Sequence, residues 1–196
     1  CIPYSIPDKF RELDDAIKDN TVTDIPQMNI DATNINNDYV SGTFTFLDKN
    51  RELNGYLQIA WQGDSSKSYP KKNFKVKLFQ DQQLKNKYNI KFKSSWLEDN
   101  KFNLKANWID ATQARNLVNA DLVSKATAVT PFENKDVEAK LSKAQKLGQM
   151  QGFPIELSLN GQYWGLYTLN TKKGEKSFGM DNKKIGEEAI TSKLAS

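Results

Sequence analysis

The sequence predicts an α+β fold: an antiparallel sheet of about five or six strands carrying two or three packed helices. Three observations predict it. Segments such as 39–47 (YVSGTFTFL) and 73–79 (NFKVKLF) alternate apolar and polar residues, as half-buried strands do. Asn160-Gly161 sits between two apolar runs, the strongest short hairpin signal in the chain. Residues 110–128 and 136–147 instead repeat their apolar positions at helical spacing.

Taken in order, Pro7-Asp8-Lys9-Phe10 opens a helical pattern that runs to about Lys18. Phe10, Leu13, Ala16 and Ile17 share one side of it, with Asp8 as cap. Asp24-Ile25-Pro26 breaks the chain, and Gln27 to Asp31 reads as a short strand. The Asn-rich stretch from Asp31 to Asp38 is a turn. It fails as a calcium loop: Asn36 stands where the sixth-position glycine is needed, and Gly42 where the closing glutamate is needed. After the strand at 39–47 and a turn at 48–52, residues 53–62 and 73–79 are strands flanking a second polar turn. Phe74, Val76 and Leu78 alternate with Lys75 and Lys77, so these lysines share one face. Residues 102–106 form a further strand of the same sheet.

Asp110 or Thr112 caps a helix to about Ala128, with Ala114, Leu117, Val118, Ala120, Asp121, Leu122 and Ala126 on its broad apolar side. Pro131 follows its end. Asp136 to Leu147 reads as a second, more exposed helix ended by Gly148. Residues 153–159 and 163–169 are the two arms of the Asn160-Gly161 hairpin. No Gly/Ser-rich or Pro-rich linker divides the chain, which favours one domain.

The 196 residues are 38% apolar and 11% aromatic, enough to bury a core. No apolar run is long enough to span a bilayer. Charge is uneven. The chain is +4, yet Lys67 to Lys93 holds nine lysines and one acid, Asp81. Such a stripe suits phosphate or an anionic polymer. Nucleic acid is not expected. Arg11, Arg51 and Arg115 are the only arginines, and no nucleic-acid-binding motif occurs.

The chain contains no histidine, which excludes imidazole bases and His-ligated metals. The single cysteine, Cys1, excludes an internal disulfide and a thiolate zinc site. Any metal would be a hard cation on oxygen ligands. Cys1 in place of an initiator Met also opens the reading of a lipid-anchored bacterial surface protein. Ile2-Pro3 and the early helix are unlike a flexible lipoprotein tether.

The candidate site is the segment from Tyr56 to Phe79. Gly63-Asp64-Ser65-Ser66 is a turn whose glycine permits close approach to a ligand. Gly63, Ser65 and Ser66, with Lys71, Lys72, Lys75 and Lys77 on the following segment, form a cradle for an anion. The competing reading is an ordinary hairpin with a solvated lysine face. No P-loop or dinucleotide fingerprint occurs. Ser68-Tyr69-Pro70-Lys71 matches S-x-x-K, but Pro70 lies where a strand begins and the accessory motifs are absent. The adjacent acids Asp14-Asp15 and Glu187-Glu188 cannot face each other on a helix. Trp61, Trp96, Trp108 and Trp164 read as core or groove packing rather than a sugar platform.

Three ordered blocks resemble the CotH (spore coat protein H) family of atypical kinases. Trp61-Gln62-Gly63-Asp64-Ser65-Ser66 through Tyr69-Pro70-Lys71-Lys72-Asn73-Phe74-Lys75-Val76-Lys77 resembles its R-G-N-S-S…P-K-K-S-Y-K-I-K block. Residues 102–110 (FNLKANWID) with Arg115-Asn116 resemble its W-x-L-x-A-x-x-x-D…R-N segment. Residues 155–167 (IELSLNGQYWGLY) resemble its V-E-L-Y-L-N-G-E-Y-x-G-L-Y hairpin. The wording GQMQGFPIELSLNG and SFGM is similar to CotH-like modules in tail or baseplate proteins of bacteriophages of Gram-positive hosts.

The resemblance implies the N-terminal lobe of a kinase-like fold. It divides the chain into an N-terminal helical segment (1–24), a CotH-like N-lobe domain (25–180) and a C-terminal tail (181–196). It implies that the Gly63 to Ser66 turn lies over nucleotide phosphates, neutralised by a lysine from Lys71 to Lys77. Gln62 departs from the family by replacing its arginine. Phosphoryl transfer also needs metal-holding acids and a group orienting the acceptor, which the family supplies from a second lobe. The chain stops at Ser196, short of that lobe.

The expectation is therefore a non-catalytic CotH-like structural or adhesion module in a phage virion, without a cofactor. Its partners would be other virion or baseplate subunits, an anionic cell-wall polymer or a second copy of itself. The alternative is an N-lobe fragment of an ATP-dependent, Mg-using kinase. Asp110 and Arg115 are expected to pair structurally, fixing the helix they begin.

Overall fold

The structure, a computed structural model, describes residues 25–49, 51–131, 133–142 and 144–178. The helix expected over 8–18 and the tail 181–196 lie outside these residues. Among the described residues there are seven strands: β1 (Gln27–Asp31), β2 (Val40–Asp48), β3 (Arg51–Gln62), β4 (Asn73–Phe79), β5 (Lys101–Lys105), β6 (Gly152–Leu159) and β7 (Gln162–Thr171). They close into a barrel in the order β1-β2-β3-β4-β5-β7-β6. Every pair is antiparallel except the closing one, where β1 runs parallel to β6 with Gln27 opposite Glu156 and Ile30 opposite Leu159.

This barrel corrects the expected α+β fold, an open antiparallel sheet with two to three packed helices. The strands were legible because alternation is local. Met28, Ile30, Phe44, Phe46, Leu57, Ile59, Phe74, Val76, Leu78, Phe102, Leu104, Ile155, Leu157, Tyr167 and Leu169 all point inward and are buried. A sheet that closes covers its apolar face with its own opposite wall, so no helical layer is needed. The long helix α1 (Arg115–Val129) accordingly lies outside the barrel and buries only Ala120 and Ser124. Val118, Leu122, Val123 and Val129 stay exposed. A second helix, α2 (Lys135–Ser142), makes two turns. It ends earlier than expected: Ala144 is already extended (φ -73°, ψ 144°), and Lys146 and Leu147 then turn left-handed, at φ 46° and 52°.

Two features close the ends of the barrel. The β6–β7 turn has positive φ at Asn160 (51°) and Gly161 (75°), the backbone that an Asn-Gly pair favours. The segment between β4 and β5 carries Phe92 and Trp96 into the core. There Phe92 packs on Phe46 (centroids 4.8 Å) and Phe102 (4.9 Å), and Trp96 on Phe153 (5.5 Å). The Arg51 guanidinium lies over Phe46 and Phe92 and donates to the carbonyls of Lys91 (2.8 Å) and Phe92 (2.9 Å), pinning that segment to β3.

Candidate functional site

β3 leaves the barrel at Gln62 and β4 re-enters at Asn73, so the Gly63 turn caps one barrel end. Gly63 has φ +106°, and a Cβ there would collide with Ser66 Oγ. Residues 65–68 form a 3-10 turn in which Lys67 N–H donates to Asp64 O (3.1 Å) and Tyr69 N–H to Ser66 O (3.3 Å). Ser65 O accepts from the Ser68 hydroxyl (2.7 Å), and Ser66 Oγ accepts from Asn73 Nδ2 (3.3 Å). Gln62 Oε1 is buried with no hydrogen-bond partner among the described residues.

Two lysines that follow this turn hold the loop itself. Lys71 Nζ donates to Leu166 O (2.5 Å) and Ala106 O (3.4 Å) and sits 4.5 Å from the Tyr167 ring centroid. Burial pulls its pKa below the usual lysine value. Gly165, at φ +125°, makes the room: a Cβ there would lie 3.3 Å from Lys71 Cε. Lys72 Nζ donates to Lys67 O (2.6 Å) and Tyr69 O (2.5 Å) and lies 5.4 Å from the Trp61 ring centroid. The Tyr167 hydroxyl donates to Lys72 O (2.9 Å), and burial pushes that phenol up.

Lys75 and Lys77 go elsewhere. Their strand neighbours Phe74, Val76 and Leu78 fill the core, so both lysines project from the outer wall. Both ammoniums lie over one ring, Tyr39, at 3.9 Å for Lys77 and 4.8 Å for Lys75. Lys101 is paired directly with Lys77 across β4 and β5. Lys172 follows Thr171, the β7 partner of Phe102, and so extends the same row. The Lys77 pKa is lowered by burial, then by Lys101, Lys172 and Lys75. No carboxylate acts against that trend. Among the described residues, none of these four ammoniums makes an ion pair or donates a hydrogen bond.

The structure therefore divides the candidate residues. Gly63, Ser65 and Ser66 form the turn, Lys71 and Lys72 brace it, and Lys75 and Lys77 join Lys101 and Lys172 on the barrel wall. Sequence reasoning missed Lys101 and Lys172. Alternation in KFNLK places Lys101, Asn103 and Lys105 on one face of β5, but only the strand register sets that face beside Lys77.

Asp110 and Arg115 are structural. The Asp110 carboxylate accepts from the Thr112 hydroxyl (2.7 Å), Thr112 N–H (3.1 Å) and Arg115 N–H (2.9 Å), and pairs with the Arg115 guanidinium at 3.5 Å. The Thr112 hydroxyl is the main cause holding its pKa down. Helix α1 starts after this turn, because Gln113 at φ +57° cannot be helical. Trp96 is in the core and Trp61 packs against it, whereas Trp108 (51%) and Trp164 (43%) are half exposed. Trp164 stands at a bulge in the β6–β7 ladder, where Leu157 pairs with Gly165 and Ser158 with Tyr163. Such a bulge re-aims a side chain. Among the described residues, no three His, Cys, Asp or Glu side chains gather as a metal site.

In comparison with protein families, the model described as CotH kinase protein matches residues 59–191, more than half of the chain. β1, β2 and most of β3 precede the matched stretch. No curated protein matches the chain.

Proposed function

The chain belongs to the CotH kinase protein family, and we propose that it is a docking module of that family rather than a phosphoryl-transfer unit. One observation carries this reading. Lys75, Lys77, Lys101 and Lys172 share one outer face of the barrel, and among the described residues none of them has a carboxylate partner. Like charges held together destabilise a fold unless an anion relieves them, so the face is built for an anionic partner.

The turn argues the same way. Phosphoryl transfer is catalysed by cations and metal-holding acids aimed at the nucleotide. Lys71 and Lys72, two of the lysines that the family resemblance would set on the phosphates, are turned onto backbone carbonyls. The setting we assign is a phage tail or baseplate, after the wording shared with such modules. The anion there belongs to a neighbouring subunit or to the host wall.

Pull-down of the natural virion proteins and of purified Gram-positive wall tests the reading. Capture should weaken with salt and disappear when Lys75, Lys77, Lys101 and Lys172 are replaced by Ala together. Capture unchanged by that replacement overturns it. A melting temperature raised by Mg-ATP, with phosphate moved to an acceptor, would transfer the assignment to the kinase alternative.

A further inference from the structure

We infer that the lysine face receives a flexible linear polymer with phosphate in its main chain, a polyol-phosphate of the host wall, laid across the strands rather than along them. This rests on the docking reading above and names its ligand. Lys77, Lys101 and Lys172 stand on neighbouring strands β4, β5 and at the end of β7, so the row advances by about 4.8 Å per strand. Lys75 lies one outward position along β4, about 7 Å from Lys77. A chain carrying one phosphate per short repeat can meet these charges in turn. The lysines offer mobile point charges rather than a planar fork, which suits phosphates joined by a flexible linker.

One carboxylate lies beside the row, along β5. Lys101 and Lys172 line a shallow, solvent-open depression together with Asp99. The Asp99 carboxylate accepts the N–H of Asn100 (2.7 Å) and Lys101 (3.3 Å), so its negative charge is fixed there. Four lysines on this face match three or four phosphates of such a chain.

The face also lacks what nucleic acid needs. Single strands stack their bases on open aromatic faces. Lys75 and Lys77 already lie over the Tyr39 ring, and Tyr56, at an outward position of β3, is half-buried. The described arginines are engaged elsewhere, Arg51 with Lys91 and Phe92 and Arg115 with Asp110.

The test is calorimetric titration of the full chain with synthetic poly(glycerol phosphate) of one to ten repeats. Polyglutamate, oligo(dT) and phosphatidylglycerol vesicles serve as comparisons. Affinity should climb at least about tenfold from one repeat to four and then level off, with a log–log salt slope that drops by about one for each lysine removed. Lys77→Ala and Lys101→Ala should each weaken binding, and Lys77→Arg should restore it. Lys85→Ala and Lys87→Ala, exposed lysines of the β4–β5 segment, should bind as the parent does.

Equal binding of polyglutamate, tighter binding of oligo(dT) or of vesicles, or affinity that ignores chain length would each overturn the inference. If the polymer fails to bind while virion proteins are still captured through Lys77 and Lys101, the inference falls and the docking reading stands. If neither binding depends on these lysines, both fall.

Discussion

The carboxamide of Asn160 joins both backbone groups of Ala32, a residue 128 positions away: its Oδ1 accepts Ala32 N–H at 2.9 Å and its Nδ2 donates to Ala32 O at 3.0 Å. Asn160 N–H also donates to Ile30 O (2.8 Å). The residue that shapes the β6–β7 turn thus fastens the end of β1 to β6, the seam that closes the barrel. Asn160→Asp keeps the turn conformation but sets an oxygen against Ala32 O. It should cost about 1–3 kcal/mol in urea unfolding, whereas Asn160→Gly should cost less, since it leaves no repulsive atom. Asp at no cost would show that the seam does not depend on this amide.

Phe92 lies in the segment between β4 and β5 yet is 3% exposed, at the centre of rings contributed by Phe46, Phe102, Phe153 and Trp96. Phe92→Ala should destabilise the chain by about 3–5 kcal/mol, as deletion of a fully packed ring does. Loss of near-ultraviolet dichroism below the parent's transition would accompany it. A change under about 1 kcal/mol would place the segment outside the cooperative core.

Gly63→Ala forces an L-residue to φ +106° and drives its Cβ into Ser66 Oγ. The expected cost is about 1–3 kcal/mol. Adding Ser66→Ala removes the collision and leaves the dihedral strain, so the double variant should recover only part of the loss. Binding through Lys77 and Lys101 should be unchanged in both variants, because the turn and the barrel wall are separate features.

Acid should loosen α1. Asp121 pairs with Lys125 (2.8 Å) and with Lys146 (2.9 Å), whose hydrogen bonds hold its carboxyl down at about 2. A folded-state value below the unfolded one, about 3.9, contributes stability that is complete above that value and disappears as pH falls toward 2. Asp110 and Asp81 are shifted the same way, and their contributions disappear in the same direction. Melting temperature measured between pH 5 and pH 2 should fall less steeply in Asp121→Asn than in the parent. Parallel curves would mean that this ion pair contributes nothing.

Alkali should act in the opposite sense. Lys71, Lys77 and Lys105 have pKa values lowered by burial. The unfolded chain then binds more protons than the folded one just below the ordinary lysine value, so stability rises as pH approaches about 10. Above that, Tyr39 and Tyr167 reverse the slope, since burial raises both phenols and their contribution is lost on ionisation of the unfolded chain. Carbon-13 titration of the lysine side chains should show Lys77 low when free and moved upward by bound polyphosphate. An ordinary Lys77 value without ligand would remove the electrostatic tension attributed to this face.

The sequence by itself determined what is local. Period-two alternation gave the strands within a residue or two. Asn160-Gly161 gave its turn, and the outward pairing of Lys75 with Lys77 followed from the pleat alone. The pairing of Asp110 with Arg115 was also legible, because the partners lie within five residues, whereas the N-cap of α1 is Ala114 and neither Asp110 nor Thr112. The ordered blocks were enough to identify the family.

Tertiary structure alone decided the rest. Gln27–Ile30 pairs with Glu156–Leu159 across more than a hundred residues, and no local pattern states whether a sheet stays open or closes. That closure turned the expected α+β layers into a barrel and left α1 outside. It also set Lys101 and Lys172 beside Lys77 and turned Lys71 and Lys72 inward onto carbonyls. Side-chain alternation records which way a residue faces. Only strand order and register, fixed by contacts between distant segments, record what it faces.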